Sequence, residues 1–420
     1  MAAENNANVV ALQLEKVRDK LPLLYEREDV LLSIIKKRGE VETVSSRNMR
    51  IPLQLVPGGK SGGVSMDGGD LGRGSGTQYD VAQVTPIFFR TAIEITKLVE
   101  YATNSTEKAI ENAAKLEVKN GMAQHLAFLD TLAQTNGNGV VGTVSSVASA
   151  VLTMSVPYGA ALAIDGNDYN ILSSDLSTQR GSGVVTVSSH DAVTAQTVTL
   201  SANAPAGTTG TDVLVESNVT PSQTVSLFGI KYHQNNATTG TWLNLNRATY
   251  PSQLQTARVN ANSSSLVPGF VRLAMNKVRM GLGIDALQKN KPMAYMHPRQ
   301  SHAWENIGTV ISQVILNQVQ GGQPDALPGT PKNMGGLPIK ESIHADQTRI
   351  DFLTLSHWGR AVMQDTDFYK VGTQTIFPIY GTSGGLAASY IFYFVTGFQV
   401  FVDNPRAGSF IDSLASPAGY

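Results

Sequence analysis

A lysine set among glycines, Gly59-Lys60-Ser61, is the first point in this chain where residue type and spacing suggest chemistry. It lies in the run LVPGGKSGGVSMDGGDLGRGSGTQYD, Leu55 to Asp80. A phosphate cradle of the P-loop kind needs G-x-x-x-x-G-K-[ST], so that successive N–H groups wrap the phosphates at a helix N-terminus. The first glycine of that motif would stand at position 54, which is Gln54, and more glycine follows instead of a periodic helix. GRGSG, Gly72 to Gly76, likewise fails G-x-G-x-x-G, because Tyr79 holds the last glycine's place. The seven histidines form no H-E-x-x-H; His297 and His302 are five apart, on different faces of a helix. No G-x-S-x-G elbow is present, and the absence of cysteine excludes disulfides and thiolate nucleophiles or metal ligands. No catalytic, cofactor or metal site is therefore expected, and the glycine run needs another explanation.

The bulk composition narrows the classes further. With 420 residues and 42% hydrophobic content the chain can bury two or three packed units. Lys plus Arg (32) nearly cancels Asp plus Glu (33), so no overall field draws it to nucleic acid or anionic lipid. Charged residues are only 15% of the chain, which fits a surface hidden in permanent contacts and equally a Ser/Thr/Asn-rich surface. The start, MAAENNANVV, lacks a basic segment followed by an apolar one, so no secretory signal is read there. AASYIFYFVTGFQVFV, Ala387 to Val402, is the most apolar stretch; it is too short for a membrane helix and rich in aromatic and β-branched residues. It reads as a strand buried on both faces and bent near Gly397.

The elements that would position the glycine run follow from periodicity. Val10, Leu14, Val17 and Leu21 recur at helical spacing before Pro22, and a second short helix runs from Glu26 to Arg38, acidic at its start and basic at its end. Helices this short need another surface for their apolar faces. From Arg47 the pattern is extended, and a second extended segment, Thr77 to Val99, places the glycines at the tip of a long hairpin. Asn104 to Gln134 reads as one long helix, with Asn104 and Glu107 as a capping pair, TNGNG as its stop and Asn120-Gly121 as the place for a kink or a shift of its apolar face. Between about Val140 and Val225 only seven residues are charged, and VVTVSS, TVTLSA and TDVLVE alternate between turns. That pattern fits a small all-β insertion, a barrel among the options, although Ser/Thr-rich low complexity accounts for part of it. Helical periodicity returns at Pro268 to Met280 (Phe270, Ala274, Val278); Pro292 to Met296 is a short strand, and Pro298 opens the next helix.

This order of elements resembles the major capsid proteins of tailed bacteriophages, with the Hong Kong 97-type α+β fold. LEKVRDKLPLLYERED before VSSRNMRIPLQ resembles their arm and extended loop, MAYMHPRQSHAWENI a strand-helix unit of their axial domain, and VFVDNPRAGSFIDSL their closing strand and turn. The resemblance spans nearly the whole chain, with diffuse motifs, and the β insertion departs from the minimal pattern. It implies an N-terminal arm over 1–44, an extended β-hairpin loop over 45–99, a spine helix of the peripheral domain over 100–137, and an axial domain over 138–336 carrying the insertion at about 150–228. Residues 337–420 would return as strands.

It further implies a homo-oligomer of hexamers and pentamers in an icosahedral shell around double-stranded DNA held without sequence-specific contacts. Portal and cement or scaffold proteins would be partners, a membrane would not, and assembly would take place in the host bacterial cytoplasm. Val10, Leu14, Val17 and Leu21 on the arm, and Arg47, Arg50, Lys60 and Arg73 on the loop, become the expected intersubunit contacts, since neither segment has enough apolar neighbours in sequence to stand alone. Some relatives weld subunits through a lysine on this loop and an asparagine of a neighbour. That step needs a neutral, desolvated amine, whereas Lys60 between Gly59 and Ser61 in a wet tip reads as a solvated or salt-bridged cation. The rival class is another structural protein: a tail-tube, adhesin or surface-layer subunit.

Overall fold

The computed structural model describes all residues except 1–28, 39, 64–66, 68, 71, 97–106, 308–332, 382–383 and 418–420, and, of residues 36–38, 40, 107–116 and 290, the backbone alone. Helices and strands are mixed, and the chain divides into two compact units. One holds Pro86–Asp130 and Val362–Phe398; the other holds Val30–Thr85, Thr131–Ala361 and Gln399–Tyr420.

In the first unit, strand Ile87–Thr96 pairs antiparallel with the long strand Leu386–Val402, from Thr96 opposite Ser389 to Ile87 opposite Phe398. Ile93 and Ile95 are half-buried and Glu94 is exposed, as the alternation of TAIEIT requires. The long strand alternates up to Val395, and only from Thr396 onward are both of its faces covered. Pairing continues without a break through Gly397. Gly397 makes room for its cross-strand partner Phe88: a Cβ there would lie 2.5 Å from Phe88 Cε1.

The long helix runs Glu107–Ala133, and the expected cap at Asn104 falls outside the described residues. Within the first unit Gly121 lies against Ile93 and Phe394. One turn on, the buried His125 ring bridges Thr91 Oγ1 and Thr396 Oγ1, each at 2.8 Å. Burial lowers the His125 pKa to about 4, so the ring is neutral and one nitrogen accepts while the other donates. Glycine at position 121 thus permits close packing of helix on strand.

The second unit begins with helix Val30–Arg38, whose Leu31, Leu32 and Ile35 are buried within this chain beside the Leu355–His357 turn. The segment 77–99, expected as one extended run, is two strands separated at Thr85-Pro86. Gln78–Val84 pairs with Met49–Val56, and Ile87–Thr96 belongs to the other sheet. Pro86 supplies the reason, since it brings no N–H to a ladder. The expected insertion is a closed antiparallel barrel of six strands lying between Val140 and Glu216, in the order 213–216, 140–148, 151–155, 197–200, 185–191, 168–172 and back. It starts some residues earlier than the expected 150, and closure leaves it no free sheet edge. Leu152, Val187, Val198 and Leu214 fill it.

Below the barrel in sequence lies a mixed six-stranded sheet in the order 257–260, 409–412, 350–353, 293–296, 337–341, 333–334. Two of its neighbouring pairs, 257–260 with 409–412 and 293–296 with 337–341, run parallel. Helix Pro268–Leu282 covers it, with Val271, Ala274 and Met275 packed among Ile350, Phe352 and Ile411 and Val278 also buried. Of the expected stripe Ala274 and Val278 are buried, while Phe270 is half-buried against the same core and Val271 is buried beside it.

Candidate functional site

The hairpin Met49–Val56/Gln78–Val84 carries the candidate contact residues. Its register (Met49 with Val84, Ile51 with Ala82, Leu53 with Asp80) puts the apolar side chains on one face. Leu55, Ala82 and Val84 are buried there with Trp242, Leu243, Leu245 and Leu254, and Gln83 N–H donates to the Leu243 carbonyl at 2.9 Å. The hairpin base is thus held by its own chain, which corrects the expectation that the segment lacks apolar partners. The opposite face, with Arg50, Pro52, Gln54, Tyr79 and Val81, is exposed; Tyr79 is 68% accessible.

Beyond the strands the tip is stitched for one more step. Gly59 N–H donates to Ser75 O at 2.7 Å, and Ser75 Oγ donates to Gly59 O at 3.1 Å. Gly59 has φ +98°, where a side chain would be strained. At Gly62, Gly63, Gly74 and Gly76, by contrast, a Cβ would meet nothing within 4 Å among the described residues. Arg47 and Arg50 come together on an open groove of about 530 Å³ lined by residues 43–50. Lys60 and Arg73 are exposed on the two limbs of the tip. Val10, Leu14, Val17 and Leu21 lie outside the described residues.

A second constellation, buried in the same unit, was not anticipated. Lys231 Nζ is 2.7 Å from Asp346 Oδ2 and 4.1 Å from the centre of the Tyr158 ring. Tyr158 OH donates to Gln134 O at 2.7 Å, and Gln134 Nε2 donates to Tyr295 OH at 2.9 Å. Asp346 Oδ1 also accepts from the Thr348 N–H and hydroxyl. Arg349 grips Asp351 with two nitrogens, donates to Gln234 O at 2.7 Å and stacks over the Phe410 ring at 3.9 Å. Burial lowers the Lys231 pKa, and the Asp346 carboxylate opposes that shift. Each charge faces an opposite charge, so the cluster ties the segment at Tyr158, the end of the long helix and the six-stranded sheet together rather than presenting a reactive group. Arg349 and Asp351, two apart at the start of the apolar strand Ile350–Leu353, face the same way, and that was the signal in the sequence.

The histidines are occupied similarly. His233 Nε2–H donates to Val400 O at 3.1 Å and its Nδ1 accepts from Trp242 Nε1 at 3.3 Å; burial lowers its pKa to about 3. His297 Nδ1 accepts the Arg299 N–H at 3.1 Å, capping the helical residues 298–307. Among the described residues no group of three side chains suited to a metal ion occurs, and no helix is long and apolar enough to cross a membrane.

No protein-family model matches the chain, and no curated protein sequence matches it. Solved structures do. The Cyanophage A-1(L) capsid asymmetric unit aligns over 96% of this chain and 98% of its own, with TM-score 0.59 at 11% identity. Looser alignments join it to the capsid of a native GTA particle (TM-score 0.47, 9% identity, 95% of this chain and 94% of that one) and to Gordonia phage Cozz (TM-score 0.44, 13% identity, 96% and 93%). The chain shares the α+β fold of the Cyanophage A-1(L) capsid along nearly its whole length.

Proposed function

We propose that this chain is the major capsid protein of a tailed bacteriophage, self-assembling into an icosahedral shell around double-stranded DNA. The observation that carries the reading is the shared fold with the Cyanophage A-1(L) capsid over 96% of the chain. On this reading residues 1–44 are the N-terminal arm, 45–99 the extended loop, 100–137 the spine helix, 138–336 the axial domain and 337–420 the returning strands of a Hong Kong 97-like subunit. The barrel is an addition to the axial domain. The reading assigns no catalytic residue. Hexamers and pentamers, a portal, and cement or scaffold proteins belong to it, as does assembly in the bacterial cytoplasm.

The hairpin supports it chemically. Its base is anchored by its own chain, while its outer face and tip are exposed, and at Gly62, Gly63, Gly74 and Gly76 no contact among the described residues demands glycine. Such a tip suits close backbone approach to a neighbouring subunit. Arg47, Arg50, Lys60 and Arg73 are the side chains proposed to meet that neighbour, with the arm's Val10, Leu14, Val17 and Leu21.

Negative-stain microscopy of the purified protein tests the proposal. Closed polyhedral shells are expected; tubes, flat sheets or monomers alone would point to the tail-tube, surface-layer or adhesin class. Deleting Met1 to Leu21, or Gly58 to Gly76, should leave a folded, soluble chain that no longer closes shells.

A further inference from the structure

The exposed side of helix Pro268–Leu282 carries an imbalance of charge that the packing does not use. From Leu266 to Lys291 there are five basic residues, Arg272, Lys277, Arg279, Lys289 and Lys291, against one acid, Asp285, in a chain whose overall charge is −1. All six are exposed. Among the described residues none of the five bases is in an ion pair; Lys277 Nζ donates to the Arg258 carbonyl, and Arg258 itself is paired with Asp412. Arg406, whose guanidinium donates to the Gly281 carbonyl at 2.6 Å, adds a further cation at the helix end.

The arrangement on the helix is specific. At about 100° per residue, Leu273, Asn276 and Met280 form the crest farthest from the buried Val271, Ala274 and Val278. Arg272 and Arg279 flank that crest on one side and Lys277 on the other. Met280 is 86% and Leu273 45% accessible, and Ile284, just past the helix, is 82% accessible. A helix with its side chains is about 10–12 Å across, close to the width of a DNA major groove of about 12 Å. A crest in the groove would set the flanking cations toward the phosphate rows on its two sides. Leu273 and Met280 offer no hydrogen bond to a base edge, and Asn276 is the crest's one polar side chain, so the surface is built for the backbone rather than for sequence.

We infer that helix Pro268–Leu282 and the following residues to Lys291 form a phosphate-backbone contact surface for double-stranded DNA, resting on the capsid reading above. Its partner is chosen by charge complementarity, and its contribution is non-specific, with the salt dependence of counterion release.

The test uses the full-length protein and a labelled mixed-sequence DNA duplex, followed by fluorescence anisotropy across a salt series. The variant Arg272→Gln/Lys277→Gln/Arg279→Gln should bind at least about 10-fold more weakly at low salt and flatten the log–log salt slope by about 2–3. Arg90→Gln/Lys119→Gln, two exposed cations outside this surface and outside the proposed subunit contacts, should bind as the wild type does. An unchanged thermal midpoint in the triple variant confirms that folding is intact. Wild-type protein that ignores DNA, or a triple variant that binds DNA unchanged, overturns the inference; loss of self-association with DNA binding intact would identify the face as a contact with a second copy and overturn it equally. Wild-type shells seen by microscopy alongside unchanged DNA binding would sink this inference alone, whereas failure to form shells bears on the capsid proposal.

Discussion

A Cβ on Gly121 would fall 1.8 Å from Cδ1 of Ile93, so the long helix and strand Ile87–Thr96 come together where the helix has no side chain. Gly121→Val should therefore destabilise the protein by about 1–3 kcal/mol through overpacking. Ile93→Ala in the same background should return part of that loss, because the two changes share one site. Urea unfolding of the two single variants and the double variant measures it; purely additive effects would mean that the residues do not touch.

Asp351 and Arg349 are both nearly excluded from water, at 7% and 9% side-chain exposure. Asp351→Asn leaves the guanidinium buried without its counter-charge and should cost about 3–5 kcal/mol. Replacing both, Arg349→Met with Asp351→Leu, should recover most of that, because a packed apolar pair needs no compensation. Chemical denaturation of the three proteins decides it, and equal losses in the single and double variants would contradict the pairing.

Glu216 ends the last barrel strand at 2% exposure, and its Oε1 has no hydrogen-bond partner among the described residues. Burial raises its pKa from 4.5 to about 7. The folded protein thus holds a proton there that the unfolded chain has released. The contribution is fully present below about pH 4.5 and is lost as pH rises through about 7, on the order of 3 kcal/mol. Glu216→Gln should gain stability relative to wild type by up to that amount as pH rises from 4.5 to 8, read from thermal midpoints at stepped pH. A constant difference at every pH would show that Glu216 does not titrate in the folded protein.

Lys60 is the only lysine between Lys37 and Lys97 and stands exposed next to Gly59. An exposed amine stays in water, so assembled particles boiled in detergent should release single chains of 44.8 kDa. A ladder of covalent multimers on a denaturing gel that vanishes in Lys60→Ala would reverse this expectation.

Local signals made several elements legible. The periodicity and stop signal of the long helix, the proline before Phe270 and the apolar run after Pro292 each depend on neighbours within a turn or two, and the described residues hold all three elements, as helices Glu107–Ala133 and Pro268–Leu282 and strand Met293–Met296. The barrel showed as a shift in composition, but its closure did not, because strand 213–216 must pair with both 140–148 and 168–172, and no local pattern encodes that. The hairpin base was misjudged for the same reason: its apolar face is covered by Trp242 and Leu245, far along the chain. Thr85-Pro86 was a readable break that the alternation on either side obscured. The buried charges stayed hidden because Lys231 meets Asp346 only in three dimensions. The bases of Pro268–Leu282 are scattered in sequence and gather only on the wound helix.

The barrel's first strand and its last are neighbours, with Val140 directly opposite Val215. Paired residues on adjacent strands sit only about 5 Å apart, so the chain departs and returns at nearly one place. To the rest of the polypeptide the barrel is therefore interchangeable with a short turn. Joining Asn138 to Ser217 through a few residues, or seating a foreign domain whose termini lie equally close, would leave the flanking segments facing the same two anchor points. The fold in this way separates what must be kept from what is free to be exchanged, and it makes residues 140–216 the natural cassette for diversification or display.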